Sequence, residues 1–214
     1  MIQAKRIRVE YLKGSGEFPT VIDIGKPQVT WNVEGAKIQR AFQVKAVGNK
    51  DTCFDSGKVE SREMKCVLDA DFQSRELVQV EIRLWGEEDE ETAAEENMSA
   101  PKKEQSSEIN TMTEFSCETS CFEMGLLTRN DWKAKWINPE VETPDPEKER
   151  PASYLKKEFV LKEVPEKARL YAAAHGIYQV FVNGKEVKGF VLAPGTSEYV
   201  QRLQYQTYDV TSLL

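Results

Sequence analysis

Histidine is almost missing from this sequence: His175 is the only one in 214 residues. A Ser/His/Asp triad would have to use it, and it stands in the alanine-rich run "YAAAHG". A lone strand histidine is more often packed or surface-exposed than catalytic. Cysteine is scarce too, at Cys53, Cys66, Cys117 and Cys121. The last two are four apart, which is not the C-x-x-C spacing of redox or zinc motifs, and no second pair accompanies them. Free thiols of a reducing compartment are therefore expected. No apolar run approaches the ~18 residues of a membrane span. The start, "MIQAKRIRVEY", has basic residues with no apolar stretch behind them, so no secretory signal is expected and a cytoplasmic location is.

Motifs that carry chemistry are absent as well. The sequence has no G-x-S-x-G elbow, no glycine-rich phosphate loop and no D-x-D-x-D-G calcium loop. It has no basic stripe interleaved with aromatics, which argues against nucleic acid. Carboxylates are plentiful, but glycoside hydrolysis needs two of them across one scissile bond, one kept protonated by its surroundings. Spacing along the chain does not identify such a pair. No catalytic residue, metal ligand or cofactor is assigned, and no residue is assigned to carbohydrate binding.

What is present is strand pattern and a very uneven charge. Residues 87–114 contain ten acids and two bases, and the rest of the chain has 26 acids and 27 bases. The net charge of −7 therefore belongs to one segment. Upstream, apolar residues alternate with polar ones. Ile7, Val9 and Tyr11 share a face in "RIRVEYL", as do Val29, Trp31 and Val33 in "QVTWNV". Phe42, Val44 and Ala46 do so in "AFQVKAV", and Val78, Val80, Ile82 and Leu84 in "LVQVEIRLW". Turn-forming clusters such as "KGSGEFP" and "GNKD" separate these runs. Short alternating strands at such intervals predict an antiparallel sandwich. Trp31 and Trp85 are expected as core anchors rather than sugar-stacking platforms.

The acidic stretch has few strand formers. It is expected to be a long, mobile, protease-sensitive loop, with at most a short helical piece around "EETAAEEN". A further strand is expected with Phe115, Cys117, Thr119 and Cys121 on one face. "DWKAKWINP" places Trp132, Ala134 and Trp136 on one face, and the loop "EVETPDPEKERPAS" follows. Later, Leu170, Ala172 and Ala174 share a parity. "GIYQVFVNGKEV" is a hairpin: Asn183-Gly184 suits a type I′ turn, whose two central residues both need positive φ. That turn pairs Val182 with Lys185 and Phe181 with Glu186. It also puts Val187 on the face of Tyr178, Val180 and Val182.

"DSGKVES", "FEMGLL…DWKAKWI", "YLKKEFVL" and "GIYQVFVNGKEV…LAPG…Y…RLQYQTYDVT", in that order, resemble the N-terminal region of bacterial α-L-rhamnosidases. The ordered pair "GLL…DWKAKWI" and "LQYQTYDVT" is the most specific part. Thr196 stands where that family often has Trp, and the acidic stretch is longer than the family's loop. The resemblance implies an all-β chain: a fibronectin-III/immunoglobulin-like sandwich followed by an incomplete jelly-roll sandwich. The expected domains are 1–126, with an acidic insertion at 86–114, and 127–214; the boundary falls between Met124 and Lys133. The implied function is that of a non-catalytic accessory portion of an enzyme that removes terminal α-L-rhamnosyl residues. The implied partner is a C-terminal (α/α)₆ catalytic barrel that bears the acid and base carboxylates. Two other readings are a free-standing carbohydrate-binding sandwich, with Tyr178, Tyr199, Tyr205 and Tyr208 as candidate rings, and a structural interaction module. A sandwich left half-built is expected to expose Val180, Phe181 and Val191 and to self-associate.

Overall fold

The computed structural model describes residues 2–12, 20–88, 113–116, 119–139 and 152–214. Among these residues there is no α-helix, only two single-turn 3₁₀ segments at Arg129–Asp131 and Thr211–Leu213. The strands are β1 (Gln3–Val9), β2 (Val21–Ile22), β3 (Gln28–Glu34), β4 (Ala36–Gly48), β5 (Cys53–Asp55), β6 (Lys65–Val67), β7 (Leu77–Glu88), β8 (Thr113–Ser116), β9 (Ser120–Met124), β10 (Arg169–Ala172), β11 (Phe181–Val182), β12 (Lys185–Glu186) and β13 (Gln206–Asp209).

The first nine strands form a sandwich. One sheet has the order β1-β3-β6; the other has the order β2-β9-β7-β4-β5, with β8 also on β7. Their inner faces carry the alternating residues of the sequence. Val29, Val44, Ala46, Val78, Val80 and Ile82 are fully buried, with Trp31, Phe42 and Leu84 nearly so. Burying each large apolar side chain stabilises by roughly 1.5–3 kcal/mol, so β7 alone contributes four such anchors. Trp31 meets Phe42 edge-on at 5.1 Å. Its indole N–H donates to Gln39 Oε1 at 3.0 Å. Gln39 in turn donates to the carbonyls of Ser61 and Glu63, so a buried polar side chain is satisfied.

Four sequence expectations are corrected here. Trp85 is not a core anchor: it follows inward-facing Leu84, so alternation turns it outward, where it lies half-buried under Lys58 Nζ at 5.1 Å. Tyr11 is exposed, because the chain turns at Glu10 and Tyr11 (φ 49° and 63°). The core face of β9 is Phe122 and Met124, whereas Cys121 is exposed and Cys117 lies outside the described residues. "DWKAKWINP" is not a strand: after the 3₁₀ turn the chain is irregular and Ala134 and Trp136 are exposed. Two further features were not read from the pattern. Ile2 and Ala4 are buried before the change and Ile7 and Val9 after it. That switch of parity is made by a register shift between Lys5 and Arg8, with Arg6 at φ 53°. And β7 runs on through Glu88, with β8 returning from Thr113 opposite Gly86. Most of the acidic stretch, 89–112, lies outside the described residues.

The remaining strands form two small ladders, β10 with β13 and β11 with β12. The hairpin has the expected register, Phe181 opposite Glu186 and Val182 opposite Lys185. Asn183 and Gly184 both have positive φ, 50° and 77°. Val187, Tyr208 and Val210 are buried together, with Tyr178, Val180, Val182, Leu170 and Ala172 packed around them.

Candidate functional site: the junction between the two regions

A cluster of polar contacts lies where β9 and the turn after it meet β10 and β13. Glu123 is a carboxylate between two core residues, Phe122 and Met124, and alternation sends it to the opposite face of β9. That face is not open to water: Glu123 is 3% exposed. Its Oε2 takes Lys167 Nζ at 2.7 Å and Arg169 Nε at 3.1 Å. Arg169 Nη1 continues to Asp209 Oδ2 at 2.5 Å. Arg169 and Asp209 are also strand partners, the terminal pair of the β10–β13 ladder. A carboxylate of the first sandwich therefore anchors the first rung of the second region. Burial pushes the Asp209 carboxyl up, but bonds from Thr211 and the Arg169 charge outweigh it, and the net direction is down.

One residue further on, Gly125 and Leu126 receive Tyr205. The Leu126 amide donates to the Tyr205 hydroxyl at 3.1 Å. A Cβ at Gly125 would run into that same hydroxyl, so the absence of a side chain is what lets the phenol in. Trp132 then meets the Tyr205 ring edge-on at 5.4 Å. Burial raises the Tyr205 phenol pKa, against the lowering effect of the Leu126 bond.

Asp131 fixes the turn between these contacts. Its Oδ2 accepts from Ser74 Oγ at 2.7 Å and from both the amide and the hydroxyl of Thr128 at 2.8 Å. The Ser74 bond, then the Thr128 bonds, hold the Asp131 carboxyl down at about 2. Arg75 donates to the Asp131 carbonyl at 2.8 Å and lies over the Tyr171 ring of β10 at 5.6 Å.

The candidate rings are thus distributed rather than gathered. Tyr205 is in the junction. Tyr208 is buried, and Tyr178 shares a hydroxyl contact with it at 3.0 Å; burial, then this bond, push the Tyr178 phenol far up. Tyr199 stacks on His175 at 4.8 Å, nearly coplanar, with Trp136 against His175 at 5.1 Å. Cys53, Cys66 and Cys121 are free thiols, and burial raises the Cys66 pKa. Among the described residues no group of three or more His, Cys, Asp or Glu could hold a metal. Sequence reasoning missed Glu123; its signal was a charged residue inside an apolar strand.

Beyond the junction, the second region leaves several large apolar side chains in solvent. Phe159, Val160, Val164, Ile177, Val191 and Val200 are all more than half exposed. Phe181 and Val191 are exposed as expected, whereas Val180 is half-buried against the small cluster. Residues 152–168 form no strand.

Two family models match the chain: an N-terminal immunoglobulin domain of the Rha78A-like type over residues 4–100, and the α-L-rhamnosidase N-terminal domain over residues 163–214. An α-L-rhamnosidase of Formosa agariphila is 31% identical over 206 residues, covering 88% of this chain and 20% of that protein. One from an Alteromonas species is 30% identical over 168 residues, covering 75% and 16%. The crystal structure of an α-L-rhamnosidase from Aspergillus terreus matches all of this chain and 22% of its own, at 25% identity and a TM-score of 0.59. The chain spans about a fifth of the length of the curated relatives it matches.

Proposed function

We propose that this chain, an N-terminal region of the α-L-rhamnosidase type, works as the non-catalytic accessory portion of a larger glycoside hydrolase that releases terminal α-L-rhamnosyl residues. The observation that carries this reading is the contrast between the two regions. The first sandwich closes its own core between two sheets, while among the described residues the second presents apolar side chains with no facing sheet. A sandwich needs two sheets to bury its inner faces. In this reading the first domain spans 1–126 and the second, 127–214, is the opening part of a jelly roll. Further strands of the parent enzyme complete it, and a C-terminal barrel supplies the catalytic carboxylates. The role is to support that barrel and shape access to it, in the cytoplasm. The relatives' names and the order of the two matched domains support this. The purified chain is expected to leave a chromogenic α-L-rhamnoside intact under conditions where a full-length relative cleaves it. Turnover by the chain alone would place the chemistry in these residues.

A second reading, a free-standing carbohydrate-binding sandwich, is favoured by one feature: the Trp136, His175 and Tyr199 rings lie together near the surface. His175 and Tyr199 stack face to face, whereas Trp136 meets His175 at a tilt and is exposed, so one open aromatic ring is offered rather than a platform of several. Titration with L-rhamnose, followed by tryptophan fluorescence, separates the readings; saturable quenching favours the second.

A further inference from the structure

We infer that the first sandwich is an intramolecular brace for the second region, so that the two fold and move as one body pinned at Glu123, Gly125 and Tyr205. The inference is independent of what the parent enzyme does.

The second region is poorly equipped to stand alone. Among the described residues its apolar cluster has three buried members, Val187, Tyr208 and Val210, and large apolar side chains such as Val160, Val191 and Val200 stand in solvent. The β10–β13 ladder is four rungs long, below what an isolated two-stranded ribbon needs to persist in water. What it has in addition is the first sandwich. Three kinds of contact converge on this one short ladder. Glu123 binds Lys167 and Arg169 at the start of β10. The Leu126 amide binds Tyr205, the residue before β13. Arg75 covers Tyr171, the third residue of β10. Each contact is made by a different segment of the first region: β9, the turn after it, and the turn before β7.

The contacts also lock rather than slide. Glu123 is buried with its carboxylate on two cations, so removing it would take a partner from both at once and leave Arg169 on Asp209 alone. The Tyr205 hydroxyl enters a slot that only glycine leaves open. The turn that follows β9 is itself tied down, by Asp131 to Ser74 and by Trp132 to Tyr205. The two sequence stretches that carry the resemblance most specifically, "GLL…DWKAKWI" and "LQYQTYDVT", are the two sides of this junction. The likeness to the Aspergillus terreus structure runs across all of the chain, junction included.

Amide hydrogen exchange of the intact chain tests this, because it reads each strand separately. The variants are Tyr205→Phe and Arg169→Gln, changed on the second side, and Glu123→Gln on the first. The expected result is exchange at least about tenfold faster at 169–172 and 206–209 in every variant, with 78–84 of the sandwich core unchanged in the two second-side variants. An exposed pair elsewhere, Lys26 with Asp69, gives the control: Asp69→Asn should alter neither set. Unchanged protection of β10 and β13 in Tyr205→Phe and Arg169→Gln would overturn the inference, because the second region would then be holding itself together.

Discussion

The hydroxyl of Tyr205 lies 3.1 Å from the amide of Leu126, 79 residues earlier in the chain. It gets there over the bare α-carbon of Gly125. This single contact ties the residue before β13 to the end of the first sandwich, and it makes Gly125 a steric requirement rather than a flexible hinge. Gly125→Ala should destabilise by about 1–3 kcal/mol, the usual cost of overpacking a tight site, with the Tyr205 bond lost as well. Urea denaturation of the variant beside the parent chain reads the loss. A midpoint unchanged within error would mean that Tyr205 moves aside freely.

The Asp131 turn gives a pH prediction. Its carboxyl is held at about 2, below the ordinary value near 3.8, first by Ser74 and then by Thr128. A depressed carboxylate contributes stability that is present above its unfolded pKa and fades as pH falls through the folded one. The contribution should be complete at pH 5, decline from about pH 4, and be gone only below pH 2, once pH has fallen through the folded pKa of about 2. Asp131→Asn removes the charge throughout. The stability gap between parent and variant should therefore shrink over that window, as followed by thermal melts at stepped pH. A gap that widened as pH fell would reverse the assignment.

The two tryptophans of the first region should behave differently. Trp31 is buried, packed on Phe42 and hydrogen-bonded to Gln39. Trp31→Ala should cost about 3–5 kcal/mol, as large-to-small changes in a core do. Trp85, on the outer face under Lys58, should lose well under half of that. Chemical denaturation of both variants checks the order, and equal losses would contradict the placement.

The strands of the first sandwich were legible because each inner face is covered by one sheet, which is the condition under which alternation reports burial. Val78 through Leu84 and Val29 through Val33 followed that rule. The rule failed where the geometry has another cause. The bulge at Arg6 switches parity between Ala4 and Ile7. β9 is covered on both faces, so Phe122, Glu123 and Met124 are all buried together, and a two-state alternation of wet and dry has no place for that. The Asn183-Gly184 hairpin was legible from local chemistry alone. The junction was visible as motifs but not as a contact, because Tyr205 and Leu126 are brought together by the packing of two regions and share no local pattern.

The exposed apolar side chains of the second region are the ground for predicting association of the isolated chain. Val160, Val191 and Val200 are each more than nine-tenths exposed, and apolar surface of that kind is buried when a partner is offered. Light scattering should show mass rising with concentration, and a triple change to Ser at these positions should lower that slope. A monomer at every concentration would contradict the prediction.

The central proposal, resting on relatives of which this chain spans about a fifth, is that these residues are the front of a longer enzyme, and the gene tests it most directly. Sequencing past the Leu214 codon should show the frame continuing through glycine-rich strand sequence that completes the second sandwich, then into a long run of paired helices that carry the catalytic carboxylates. A stop codon at that point in the intact gene, with no helical domain in frame after it, would contradict the account and leave a self-contained β-sandwich protein in its place.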